Sequence, residues 1–184
     1  MTYRITLAYD GTQYCGWQMQ LGQLTVQGVL SETLHRLEGV PVTVFGAGRT
    51  DAGVHAEGQV VSFRLSRDWE GMALRKALNG NLPPDIRVLE AAPAAAQFHA
   101  RFDAKGKTYR YRLYTSAVMS PFEERYAWHY PYELDAARIL EELEAEHRWD
   151  EAFAQSTDLL DQLADEALAE HRAGKTLPLD PDTL

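Results

Sequence analysis

The sequence predicts an α+β fold: one antiparallel sheet of the ferredoxin-like, split βαβ kind, with helices on one face and further helices towards the C-terminus. Three observations carry this expectation. The 184 residues suffice for one domain and a little more. Apolar side chains alternate with period two in several short runs and recur at helical spacing in others. Those runs succeed one another as strand, helix, two strands, helix, strand, which is the order of a split βαβ unit.

The first strand is Tyr3-Arg4-Ile5-Thr6-Leu7-Ala8-Tyr9, which alternates strictly and ends at the turn signal Asp10-Gly11. Thr25 is placed to cap a helix through Val26, Val29, Leu30, Thr33, Leu34 and Leu37, closed by Gly39. Val42-Thr43-Val44-Phe45 reads as the second strand and Gln59 to Leu65 as the third. Residues 70–80 have the pattern of a second helix, after which Leu82-Pro83-Pro84-Asp85 forces a turn into a strand from Ile86 to Leu89. Lys107 to Tyr114 alternates as a further strand. Residues 134–146 are expected to be helical, with Leu134, Ala137, Ile139, Leu140 and Leu143 near one face. From Trp149 another helical pattern runs through Phe153, Leu159, Leu160, Leu163, Ala167 and Leu168 to Gly174, and the last ten residues, with Pro178 and Pro181, read as extended.

Composition narrows the function classes. Hydrophobic residues at 45% and charged ones at 24% describe an ordinary globular chain rather than a disordered one. No apolar run approaches the roughly 20 residues of a membrane helix, and the N-terminus turns polar too early for a secretory signal, so no membrane partner is expected. The single cysteine, Cys15, leaves no intramolecular disulfide and no multi-cysteine zinc site, which makes a cytoplasmic location the expectation. The net charge of −9 is unevenly spread: residues 1–132 hold 14 Lys+Arg against 12 Asp+Glu, whereas residues 133–184 hold 4 against 15. An Arg-rich, nearly neutral body thus precedes a strongly acidic tail. Eleven of the 14 cations in the body are arginine, the side chain suited to phosphate forks and base stacking, so a nucleic acid is permitted as partner.

The loop Gly46-Ala47-Gly48-Arg49-Thr50-Asp51-Ala52-Gly53-Val54-His55 is the most informative segment. It lacks the Gly-Lys-Ser/Thr ending of a phosphate-binding P-loop. His55-Ala56-Glu57 has the His-x-Glu spacing of zinc deaminases, but one cysteine cannot supply their paired-cysteine ligands, so no metal is expected. What remains is an acid, Asp51, two residues from Arg49, in a loop whose glycines let a ligand approach the backbone; the plainer reading is a turn in which Asp51 caps backbone amides. Tyr109, Tyr111 and Tyr114 also have two readings, as side chains facing a core or as a stacking surface interleaved with Arg101, Lys105, Lys107, Arg110 and Arg112.

Seven motifs occur in order: Tyr9-Asp10-Gly11-Thr12-x-Tyr14-x-Gly16-Trp17-Gln18, Thr25-Val26-Gln27-Gly28, the Gly46–Ala56 loop, Gln59-Val60-Val61-x-Phe63, Leu78-Asn79-x-x-Leu82-Pro83-x-Asp85-Ile86, Phe98-His99-Ala100-Arg101-Phe102 and Lys107-x-Tyr109-x-Tyr111. Together they resemble the TruA family of tRNA pseudouridine synthases over residues 3 to about 145. The resemblance implies the pseudouridine synthase fold, one half of it, and a cofactor-free isomerisation of uridine in the anticodon stem-loop of tRNA. By position, Asp51 matches the catalytic aspartate, Arg49 the arginine paired with it, and Tyr109 the tyrosine that contacts the target uridine; the three are expected to converge on one site. It implies no cofactor and no metal, tRNA as the partner, and leaves a homodimer open.

Family members are longer and consist of two similar halves, the second of which supplies the other wall of the cleft. No counterpart of that half is found in this sequence. The expected organisation is therefore a TruA-like N-terminal domain at 1–146 and an acidic helical tail of unrelated origin at 147–184. The alternative function is a truncated or degenerate paralogue without catalytic activity, retaining at most RNA binding.

Overall fold

The computed structural model describes residues 1–135, 137–141 and 144. The chain forms two units, Met1–Tyr111 and a second that begins at Arg112. The first contains β1 (Thr2–Tyr9), a 3-10 turn at Gly11–Gln13, α1 (Val26–Glu38), β2 (Val44–Gly46), β3 (Ala56–Arg64), α2 (Gly71–Asn81) and β4 (Ile86–Pro93). The strands form one sheet in the order β2-β3-β1-β4, antiparallel throughout, which is the split βαβ arrangement that the element order implies.

Local chemistry sets the element ends. The Thr25 side chain accepts from the Gly28 amide at the start of α1, and Gly39 closes the helix in the left-handed region at φ 75°. At the start of α2 the Glu70 carboxylate accepts from the amides of Met72 (3.0 Å) and Ala73 (2.9 Å), which hold that carboxyl below its usual range. Asn79 on α2 reaches β4 with both ends of its carboxamide: Nδ2 donates to the Val88 carbonyl at 2.9 Å, and Oδ1 accepts from the Val88 amide at 2.8 Å.

The alternation in β1 divides its side chains between two environments. Tyr3, Ile5, Leu7 and Tyr9 are buried in one cluster with Val61 and Phe63 of β3, Ile86 and Val88 of β4, Leu30 and Leu34 of α1, and Leu74 and Leu78 of α2. Both helices therefore cover the same face of the sheet. Each fully buried leucine here contributes roughly 1.5–3 kcal/mol. The pairings Arg4↔Ser62 and Phe45↔Ser62 place those side chains, with Thr2, Thr6 and Arg64, on the opposite face.

Two expectations about β structure need correction. The strand expected over 107–114 is regular only at β5 (Leu113–Tyr114), which pairs in parallel with β6 (Trp128–His129) in the second unit. Residues 104–112 have no regular secondary structure. Alternation reports an extended backbone with two different sides, whereas a strand also needs a neighbour to supply ladder hydrogen bonds. Side chains hold this segment instead: Arg110 makes two bonds to the Glu57 carboxylate, at 2.7 and 2.6 Å. The strand expected to stop at Leu89 continues to Pro93, where it pairs with Tyr3. Of the helix expected over 134–146, residues 137–141 and 144 are helical, and the Asp135 side chain accepts from the Arg138 amide at its start. The helix expected from Trp149 and the whole proposed 147–184 tail lie outside the described residues.

Candidate active site

The loop between β2 and β3 carries Arg49 and Asp51, and a second loop, residues 10–17 after β1, grips it. Trp17 donates its backbone N–H to the Thr50 carbonyl at 2.9 Å, and Gly53 donates to the Tyr14 carbonyl at 3.2 Å. The Thr50 hydroxyl shares a 2.9 Å hydrogen bond with the phenol of Tyr9, the last residue of β1. Burial pushes that phenol's pKa up, and the bond to Thr50 offsets part of the rise. Gly16 sits at φ +84°, and a Cβ there would lie 2.5 Å from the Thr50 carbonyl, so only glycine permits this approach. At the loop's entrance Ala47 donates to the Val60 carbonyl (2.8 Å) and Gln59 Nε2 to the Gly48 carbonyl (2.9 Å).

His55 closes the far end. Its Nδ1 lies 3.1 Å from the Gly11 amide and 3.1 Å from Asp10 Oδ1. The neutral ring accepts from Gly11 through Nδ1; a protonated ring presents the same nitrogen to Asp10 as a donor. Asp10 also caps the 3-10 turn by accepting from the Thr12 amide and hydroxyl.

The outcome is a fixed backbone under exposed side chains. Asp51 is held by its flanking residues and by its own carbonyl, which accepts from the Val54 amide at 3.2 Å. Its carboxylate is exposed and makes no hydrogen bond or ion pair among the described residues, so it does not act as a cap of backbone amides. Arg49 is exposed too and, among the described residues, makes no ion pair with Asp51. Thr50 turns inward between them to Tyr9, while residues 49 and 51 are exposed.

Tyr109 is brought to this end of the sheet by the residues around it. The Lys107 stem lies beside Gly48, with its Cε 3.7 Å from where a Cβ would stand, and Arg110 is bound to Glu57 at the start of β3. Tyr109 itself is exposed. The sequence singles out Asp51 and Arg49 but not the residues that position them, namely Tyr9, Trp17, Gln59 and His55. Each lies in one of the motifs, which was the available signal. Among the described residues no group of three or more His, Cys, Asp or Glu side chains is placed to hold a metal ion, and no helix is long and apolar enough to cross a membrane.

Residues 5–103 match a family described as tRNA pseudouridine synthase. Among curated proteins, the chain is 52% identical over 136 residues to tRNA pseudouridine synthase A of Solibacter usitatus, covering 74% of this chain and 57% of that protein. It is 49% identical over 138 residues to the protein of the same name from Lacticaseibacillus casei, covering 74% and 56%. Against that of Geobacillus kaustophilus it is 47% identical over 151 residues, covering 80% and 58%. The chain thus spans a little over half the length of the curated relatives it matches.

Proposed function

The chain belongs to the TruA family of tRNA pseudouridine synthases, and from that premise we propose that it converts uridine to pseudouridine in the anticodon stem-loop of tRNA, with Asp51 as the catalytic carboxylate. The observation that carries this reading is the exposed Asp51 side chain on a backbone held from both sides, a preorganised acid facing outward. The reaction breaks the N1–C1′ bond, turns the base and joins C1′ to C5; the C5 proton is lost and N1 gains one. Nothing is oxidised and no atom is added, so the chemistry asks for no cofactor.

An ionised carboxylate serves this reaction either as nucleophile towards the sugar or base, or as the base that removes a ribose proton. Arg49, exposed two residues away in the same loop, is the arginine that acts with it in this reading. Tyr109 offers a ring face to the uridine once it is flipped out of the stem-loop. The protein is read as cytoplasmic, with 1–146 as the working domain and 147–184 as an acidic tail, and a homodimer stays open as its assembly.

The test is incubation with unmodified tRNA transcript followed by chemical detection of pseudouridine. Product confined to the anticodon stem-loop and abolished by Asp51→Ala, with the melting temperature unchanged, is the expected result. Product that survives Asp51→Ala would overturn the assignment. A second reading is favoured by the share of the relatives' length that is matched: a paralogue that binds RNA without turnover. It predicts tRNA binding by the wild-type chain and no product.

A further inference from the structure

The sheet face opposite the helices carries a built cluster that the reaction does not use. Residues 96–103 cross it. The Ala96 carbonyl accepts from Thr2 Oγ1 (3.1 Å) and from the Arg64 guanidinium (2.6 Å), and the Ala100 amide donates to the buried Ser62 hydroxyl at 2.9 Å. The turn is closed by His99 N–H to Asp103 Oδ2 (2.8 Å), Asp103 N–H to the His99 carbonyl (2.9 Å) and Arg101 N–H to His99 Nδ1 (3.2 Å). These bonds gather three rings in tilted contact, with interplanar angles of 42° between Phe45 and His99 and 31° between His99 and Phe102. His99 lies 4.4 Å from Phe45 and 4.3 Å from Phe102, centroid to centroid, and the Arg101 guanidinium stands 5.8 Å over Phe102. Phe102, at the end of the cluster, is 75% exposed.

We propose that the Phe45–His99–Phe102 cluster is a platform whose exposed Phe102 ring receives an unpaired nucleobase of the RNA near the one presented to Asp51, with Arg101 on the adjoining phosphate. The inference rests on the RNA reading above and adds a contact to it. Charge selects the occupant. Residues 97–111 hold Arg101, Lys105, Lys107 and Arg110 against Asp103; Arg110 is taken up by Glu57, and the Asp103 carboxylate accepts from the His99 amide. An exposed aromatic face with a guanidinium over it suits a base with its phosphate better than an apolar protein surface. His99 adds a donor: with Nδ1 accepting from Arg101, the neutral ring carries its proton on Nε2. Phe45 precedes Asp51 by six residues, a contour of at most about 21 Å, so platform and carboxylate lie within reach of one RNA segment.

The experiment uses the full 184-residue chain and a fluorescein-labelled, unmodified tRNA transcript, with Kd measured from about 50 to 200 mM salt. Phe102→Ala is expected to raise Kd about five- to hundred-fold without changing the salt slope. Arg101→Gln is expected to reduce that slope by about one. Phe102→Trp should retain affinity, and its added fluorescence should be quenched when RNA binds, a signal that a merely structural ring would not give. Equal melting temperatures show that the exposed substitutions leave the fold intact. A Phe102→Ala Kd within about twofold of wild type, in a chain that binds tRNA and forms product, would overturn the platform and leave the functional reading standing. A change in apparent size instead of RNA affinity would overturn it in favour of a protein partner. No tRNA binding by the wild-type chain would overturn both.

Discussion

Gly46→Ala tests how the core is coupled to the Asp51 loop. Gly46 ends β2, and a Cβ there would stand 2.7 Å from both Cε2 and Cζ2 of Trp17 and 2.9 Å from its Nε1. Ordinary contact begins near 3.4 Å, so the methyl group is about 0.7 Å too close. Trp17 cannot easily yield: it is buried, its ring stacks on Tyr9, and its own N–H is bonded to the Thr50 carbonyl. Overpacking of this kind costs about 1–3 kcal/mol, which lowers the melting temperature of a unit this size by about 5–20 °C. The strand end is the softer partner, and its displacement carries into residues 47–51. Turnover should therefore fall more than stability does, towards a hundred-fold for a shift of about 1 Å. Trp17→Phe removes the clashing atoms and by itself costs on the order of 2 kcal/mol through the cavity it leaves. The double variant, followed by thermal unfolding, should be more stable than the sum of the two losses by at least about 1 kcal/mol. Additivity within about 0.5 kcal/mol would refute the packing argument.

Thr50→Val strands the buried Tyr9 phenol and should cost roughly 1–3 kcal/mol in urea unfolding, whereas adding Tyr9→Phe should recover most of the loss. Asn79→Ala removes both bonds to Val88 and should lower the unfolding free energy read from urea titration by a comparable amount, about 1–3 kcal/mol. Glu38 is pushed upward by burial, but the Ser66 hydroxyl and amide, the Trp69 indole and the Arg67 amide outweigh this and set its carboxyl below the usual 4.5. Because the folded value lies below the unfolded one, the stability it contributes is present above about pH 4.5 and is lost as pH falls through the folded value. Melting temperatures followed into acid should therefore drop less steeply for Glu38→Gln than for wild type.

Much of the fold was legible because local rules and tertiary packing agree. Thr25 and Gly39 bracket α1 as cap and left-handed stop, and strict alternation in residues 3–9 marked the strand that lies between β3 and β4. The extension of β4 over Glu90–Pro93 was not legible, because its pairing with β1 is imposed by the partner and not by its own pattern. Residues 107–112 misled for the converse reason: they have the pattern of a strand and lack the ladder. At the site, Asp51 and Arg49 could be singled out by motif. What fixes them is a set of backbone contacts between segments about 30 to 40 residues apart, such as Trp17 with Thr50 and Tyr14 with Gly53, and no linear pattern displays those. The expected Arg49–Asp51 partnership appears as two exposed side chains in one loop, without an ion pair among the described residues.

The bond pair between Asn79 and Val88 has a consequence for solubility. β4 is an outer strand of its sheet, and a strand residue's N–H and C=O point to the same side. With both of those groups at Val88 taken by one side chain, the carboxamide occupies the place where the peptide group of an invading strand would bind. Arg75 does the same for the Leu89 carbonyl at 3.2 Å. Helix α2 thus screens the rim of the sheet it packs on, which is a defence against edge-to-edge aggregation. An alanine at position 79 would open that rim, and self-association that rises with protein concentration would follow even at temperatures where the domain remains folded.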